Sequence, residues 1–139
     1  MKLSKYFKLE EFRCKDGTPV PVDLVTFLRN FCEDNLDFMR EFFGPIKITS
    51  GYRTKAHNIA VGGVKDSYHV YGNHPWKFAV DFVVPGEDLE RVFWAMKNLV
   101  RTGLIEPGGL VCYKKQGFIH YDNRGKLTTW TPPARRKGN

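Results

Sequence analysis

Long hydrophobic runs are missing from this sequence of 139 residues. Stretches such as Phe82-Val83-Val84 fall far short of the roughly 20 apolar residues that a membrane-crossing helix needs, so no membrane insertion is expected. The first twelve residues alternate Lys, Glu and aromatics, without an apolar core or a small-residue cleavage site. That pattern excludes an ordinary signal peptide and predicts synthesis in a cytoplasm. Cysteine is scarce. Cys14, Cys32 and Cys112 cannot all pair within one chain, and none stands in a Cys-x-x-Cys spacing, so they are expected as free thiols. Eight prolines and thirteen glycines are too few for a collagenous or low-complexity chain, and the sequence holds no internal repeat.

With 42% hydrophobic residues, a packed core is within reach, and the length suits one domain better than two. The expectation is a single domain over residues 1–130, acting as a monomer, followed by a basic flexible tail over 131–139. The net charge of +7 is uneven. In residues 114–139, Lys114, Lys115, Arg124, Lys126, Arg135, Arg136 and Lys137 face only Asp122. Such an end reads first as a solvated face and second as a means of staying near an anionic polymer. No base-reading motif accompanies it, so no specific nucleic-acid partner is expected.

Apolar residues from Val22 to Phe43, among them Leu24, Leu28, Phe31, Leu36 and Met39, recur at three- and four-residue steps and predict an amphipathic helix closed by Gly44-Pro45. A second helix is predicted over Glu87–Thr102, stopping at Gly103. Strands are predicted around Ile46 and Ile48, over Ala79–Val84, and over Gly109–Lys114 and Phe118–Arg124. Residues 54–78 show no sustained period and read as one long loop, which in a compact domain marks function or mobility. The fold class expected is α+β: a small, mainly antiparallel sheet with two main helices and a long loop.

Two histidines stand in acidic company: His69 in that loop before Asp81, and His120 in Phe118-Ile119-His120-Tyr121-Asp122. Singly, each has an ordinary explanation as a hydrogen-bonded structural residue. Together, His69, Asp81 and His120 are the donor set of a hydrolytic zinc site, in which three protein ligands leave a position for water. Spacing alone does not bring them together.

Five stretches in order then carry a resemblance: Ser50-Gly51-Tyr52-Arg53-Thr54; Asn58 with Val61-Gly62-Gly63-Val64; Ser67-Tyr68-His69 with Gly72; Ala79-Val80-Asp81-Phe82; and Gly117 through Arg124. With Phe7-Lys8-Leu9-Glu10-Glu11-Phe12, they resemble the M15-type zinc D-alanyl-D-alanine peptidases. The likeness is to the small single-domain branch found in bacteria and in the wall-degrading enzymes of their phages.

The resemblance implies zinc held by His69, Asp81 and His120. It also implies that Arg53 faces the substrate, to clamp a carboxylate or stabilise an oxyanion. Ser67 is a candidate for hydrogen bonding to substrate or a turn former. Asp122 shares a strand face with His120, either to carry a proton in catalysis or to orient a ligand. Wider members place an acid where Gly117 stands. Asn73-His74-Pro75-Trp76-Lys77 reads as an insertion between two ligands, either a solvated bulge or a protrusion whose Trp76 stacks on substrate. The activity implied is cleavage of peptidoglycan peptides, as a D-alanyl-D-alanine carboxypeptidase or cross-bridge endopeptidase, in the manner of a phage lytic enzyme. Such an enzyme acts on the cell wall or its precursors, after release or within a phage particle. The alternative is a non-catalytic, zinc-containing module of the same fold that binds wall or protein.

Overall fold

In a computed structural model, described here over residues 1–132, four strands form one antiparallel sheet: β1 (Lys47–Ser50), β2 (Ala79–Val83), β3 (Leu110–Tyr113) and β4 (Phe118–Asp122). Their spatial order is β1-β2-β4-β3. The expected tail lies outside the described residues from residue 133 on. The α+β class and all four strands follow the sequence expectation.

The helix expected over Val22–Phe43 changes its hydrogen-bond pattern midway. Helix α1 (Val22–Phe31) passes through a π turn over Cys32–Leu36 into α2 (Asp37–Phe43). Within that turn Asn35 is fully buried, and its amide bonds Glu106: Nδ2 donates to Oε1 at 2.9 Å, and Oδ1 accepts from the backbone N–H at 2.8 Å. The Tyr121 hydroxyl donates toward Asn35 Oδ1 at 3.0 Å and Glu106 O at 2.7 Å. These bonds satisfy a polar group whose burial would otherwise cost about 1–3 kcal/mol.

A short helix, α3 (Lys55–Ala60), interrupts the stretch read as loop. Its start is fixed by Thr54, whose Oγ1 accepts from His57 N at 3.0 Å. The last helix, α4 (Leu89–Arg101), is capped by Asp88, which accepts from Glu90 N at 3.0 Å.

Strand alternation divides the chemistry between the two faces of the sheet. Val80 and Phe82 of β2, with Ile119 and Tyr121 of β4, enter one apolar cluster with Leu24, Leu28, Phe31, Met39, Met96 and Leu99 from the helices. The Phe31 ring lies 5.6 Å from Phe78 and 5.9 Å from Tyr121. Intervening positions face the other way. Register pairs Ser50 with Asp81, Asp81 with His120 and His120 with Val111, so these residues form a row across the sheet.

Candidate metal centre

The row brings Asp81 and His120 together, and the segment after β1 supplies the rest. Arg53 N donates to His69 O at 2.9 Å, and Arg53 forms an isolated parallel bridge with Val70, which holds the turn carrying His69 alongside Arg53. His69 is thereby placed over Asp81. One donor atom from each of His69, Asp81 and His120 lies within 4.8 Å of the other two, and all three residues are buried.

Hydrogen bonding fixes which atoms face inward. His69 Nδ1 lies 2.7 Å from Gly51 O, a contact that requires the proton on Nδ1 and leaves a lone pair on Nε2. That Nε2 is buried and has no hydrogen-bond partner, although Asp81 Oδ1 is 3.3 Å away. On His120, Nε2 donates to Asp122 Oδ2 at 2.7 Å, so Nδ1 faces Asp81 Oδ1 at 3.1 Å. The lone pair of His69 Nε2, the Nδ1 of His120 and Oδ1 of Asp81 therefore converge. Such a set repels itself unless a cation or a proton occupies the middle. With bond lengths of about 2.0–2.2 Å, zinc accommodates donors spaced about 3.3–3.6 Å apart around a tetrahedron, close to the 3.3 Å and 3.1 Å that separate Asp81 Oδ1 from His69 Nε2 and His120 Nδ1. The residues fit the ion.

Each of these donors has its own support. Asp81 Oδ2 accepts from Arg53 Nη2 at 3.2 Å, while Arg53 Nε and Nη1 reach Ser50 Oγ at 3.2 Å and Asn58 Oδ1 at 3.1 Å. Arg53 is 1% exposed and Asp81 is fully buried. A Cβ on Gly63 would collide with Asn58 Oδ1, which is why the Gly62-Gly63 turn can seat this amide. Asp122 is clasped more tightly. Its Oδ1 accepts from Gly109 N (2.8 Å), Arg124 N (3.0 Å) and Arg124 Nε (2.9 Å), and its Oδ2 from Arg124 Nη2 (2.7 Å) as well as His120. Gly109 permits this approach, since a Cβ there would meet Asp122 Oδ2 and Arg124 Nη2.

The electrostatics suit a neutral His69 and an anionic Asp81, while His120 in the metal-free protein holds its second proton more readily than a free imidazole. Burial, reinforced by the Arg53 charge, lowers the His69 pKa to about 4, so the ring is neutral at pH 7. Burial works against charge on Asp81, but His69, His120 and their hydrogen bonds outweigh it and hold the carboxyl below its ordinary range. For His120, burial favours the neutral ring, yet the bonds to Asp122 and Asp81 prevail and raise its pKa. Burial likewise opposes ionisation of Asp122, and Arg124 and His120 reverse the sign.

A cleft of about 420 Å³ opens onto the centre, lined by His69 and His120 and walled by Ser67, Tyr68, Tyr113, Arg124 and Trp130. The Arg124 guanidinium lies 4.3 Å from the Tyr68 ring and 5.0 Å from that of Trp130. Ser67 stands in the cleft wall, and its hydroxyl accepts from His69 N at 3.1 Å, so it shapes the turn and borders the cleft. Arg53 does not line the cleft. Trp76 also lies apart from the cleft lining: it is 79% exposed, its backbone is left-handed (φ 62°), and its ring meets Phe27 edge-on at 6.3 Å. The rest of the inserted stretch folds back on the site loop. His74 stacks on Tyr68 at 3.6 Å, and Asn73 Nδ2 donates to Ser67 O at 3.0 Å.

The sequence reading quoted Asn58 and Arg124 within the resembling stretches without giving either a role, and it did not single out Trp130. Arg124 was within reach, because it continues the alternation of His120 and Asp122. The bond from Asn58 to Arg53 and the place of Trp130 in the cleft wall follow from no local spacing.

The peptidase M15 family model matches residues 5–122, a stretch that takes in His69, Asp81 and His120 with Arg53 and Asp122 and ends before Arg124. The chain belongs to the peptidase M15 family. Comparison with curated proteins and with solved structures gives no match. Among the described residues, no helix is long and apolar enough to cross a membrane.

Proposed function

We propose that this protein is a zinc-dependent peptidase that hydrolyses peptidoglycan peptides, with His69 Nε2, Asp81 Oδ1 and His120 Nδ1 as the metal ligands. The observation that carries the reading is the buried, unpartnered Nε2 of His69 facing Asp81 at the floor of a cleft. When bound, zinc supplies a Lewis acid and lowers the pKa of a coordinated water to about 7. The chain's own residues prepare that site. Gly51 O and Asp122 fix the two imidazole tautomers, and Arg53 neutralises Asp81 while turning its other oxygen toward the histidines.

Asp122 acts through His120 in this reading. Its two oxygens already accept five hydrogen bonds, against about four lone-pair sites on a carboxylate, which leaves no site for a proton from the attacking water. Arg53, buried on Asp81, supports the ligand rather than clasping substrate. Substrate contacts fall to the cleft wall, where Ser67 offers a hydroxyl, Tyr68 and Trp130 offer rings, and Arg124 offers a cation to a carboxylate or carbonyl.

A second reading, a zinc-holding binding module of the same fold, is favoured by one observation: among the described residues, Asp66 alone brings a carboxylate to the cleft lining, and Gly117 brings none. Turnover separates the two. Zinc-loaded protein incubated with peptidoglycan and with a peptide ending in D-Ala-D-Ala is expected to release D-alanine or new peptide termini. Binding without release from either substrate would establish the module instead.

A further inference from the structure

Outside this centre, a second group of metal-ligating side chains comes together from distant parts of the sequence. A ligand atom from each of Cys14, Asp16 and His57 lies within 4.8 Å of the other two. Cys14 and Asp16 belong to the tight turn that follows the 3-10 helix Leu9–Phe12, closed by Cys14 N to Thr18 O at 3.1 Å and Gly17 N to Cys14 O at 3.0 Å. His57 stands in the first turn of α3. Thr54 organises all three. Its hydroxyl donates to Asp16 Oδ2 at 2.8 Å, accepts from His57 N at 3.0 Å, and lies 4.0 Å from Cys14 Sγ.

Hydrogen bonding leaves part of this cluster unexplained. His57 Nε2 is buried without a partner, so either protonation state strands a polar atom away from water. The Cys14 thiol is buried as well, with a long 4.0 Å contact to Thr54 Oγ1 and the Asp16 carboxylate beside it. A cation would take the imidazole lone pair, the sulfur and the carboxylate at once. One thiolate, one imidazole and one carboxylate form a donor set of mixed softness that selects zinc over calcium or magnesium. Asp16 is exposed, so solvent can complete the coordination from outside.

We propose that Cys14, Asp16 and His57 form a second, structural zinc-class site that ties the N-terminal turn to α3. Binding exchanges the Cys14 S–H bond for a sulfur–metal bond and releases the proton to solvent. The site would brace the first centre from behind, because α3 carries Asn58, which holds Arg53 against Asp81. It does not depend on the protein being a peptidase.

Cobalt tests the proposal, since a thiolate ligand gives a sulfur-to-cobalt charge-transfer band and the His69, Asp81 and His120 centre has no sulfur. The full chain, freed of metal and titrated with cobalt, is expected to bind two equivalents and show that band. His69→Gln should keep the band while losing one equivalent. Cys14→Ser should lose the band and one equivalent, whereas Cys32→Ser and Cys112→Ser should retain both. If Cys14→Ser fails to fold, His57→Gln decides: loss or at least tenfold weakening of the thiolate-bound equivalent supports the site. A single equivalent without the band in wild type, or unchanged binding in His57→Gln, would overturn it.

Discussion

The helix-covered and loop-covered faces of the sheet share the same strands, yet they are stabilised by opposite means. On one side Val80, Phe82, Ile119 and Tyr121 meet helix side chains in a continuous apolar cluster. On the other, Ser50, Asp81, His120 and Asp122 are equally buried but are matched bond by bond with Arg53, Asn58 and Arg124. The first side tolerates changes that conserve volume. The second has no such latitude, because a buried charge that loses its partner is costly. Folding and metal binding should therefore separate by face under mutation.

The largest effect is expected for Asp81→Ala, which removes a ligand and strands Arg53. A loss of about 3–5 kcal/mol in the unfolding free energy of the metal-free protein is expected, together with loss of the metal, measured by denaturant titration and elemental analysis. Phe31→Ala is the counterpart on the helix side. It should cost a similar 3–5 kcal/mol or so while leaving zinc affinity of the folded fraction unchanged. A fall in affinity with Phe31→Ala would break the separation.

Asp122→Asn sharpens the comparison, because it keeps the shape and weakens the hold on His120. Metal affinity should fall by about 10–100-fold, read by competition with a chelator. Were turnover abolished at saturating zinc, with affinity intact, Asp122 would be carrying the proton itself.

A smaller effect concerns pH. In the metal-free protein, His69 resists protonation to about pH 4, whereas in the unfolded chain it protonates near its ordinary value. The unfolded state then binds more protons, so stability falls as pH drops from about 6.5 to 4. His120, with a raised pKa, contributes in the opposite sense: its stabilisation is present at low pH and fades as pH rises through its folded value. His69→Gln should flatten the loss over that window, and imidazole NMR titrations should move apart from 6.5 in opposite directions. The smallest effect is expected for Trp76→Ala, within about 0.5 kcal/mol of wild type. A raised KM in that variant would bring Trp76 to the substrate despite its place beside Phe27.

The sequence made the apolar face readable because its signal is periodic. Leu24, Leu28, Phe31 and Met39 at helical spacing located the N-terminal helical stretch, and Val80 with Phe82 at strand spacing located β2. The six residues of α3 are too few to establish a period, and its boundary rests on a single Thr54 hydroxyl. Nor does periodicity mark the π turn at Cys32–Leu36, which is tied to a bond between Asn35 and Glu106 far along the chain. On the polar face, residue types pointed to His69, Asp81 and His120 as ligands, and parity placed Asp122 beside His120. The partners were hidden for a physical reason. Whether Arg53 faces solvent or Asp81 depends on a loop folding over the sheet, and no local pattern encodes that closure.

The most direct test of the centre is an anomalous difference map collected at the zinc edge from crystals grown with zinc. A peak is predicted within bonding distance of His69 Nε2, Asp81 Oδ1 and His120 Nδ1, with one coordination position open to the cleft. Absence of density at those three atoms, or an ion there fully enclosed by protein, would contradict the hydrolytic account.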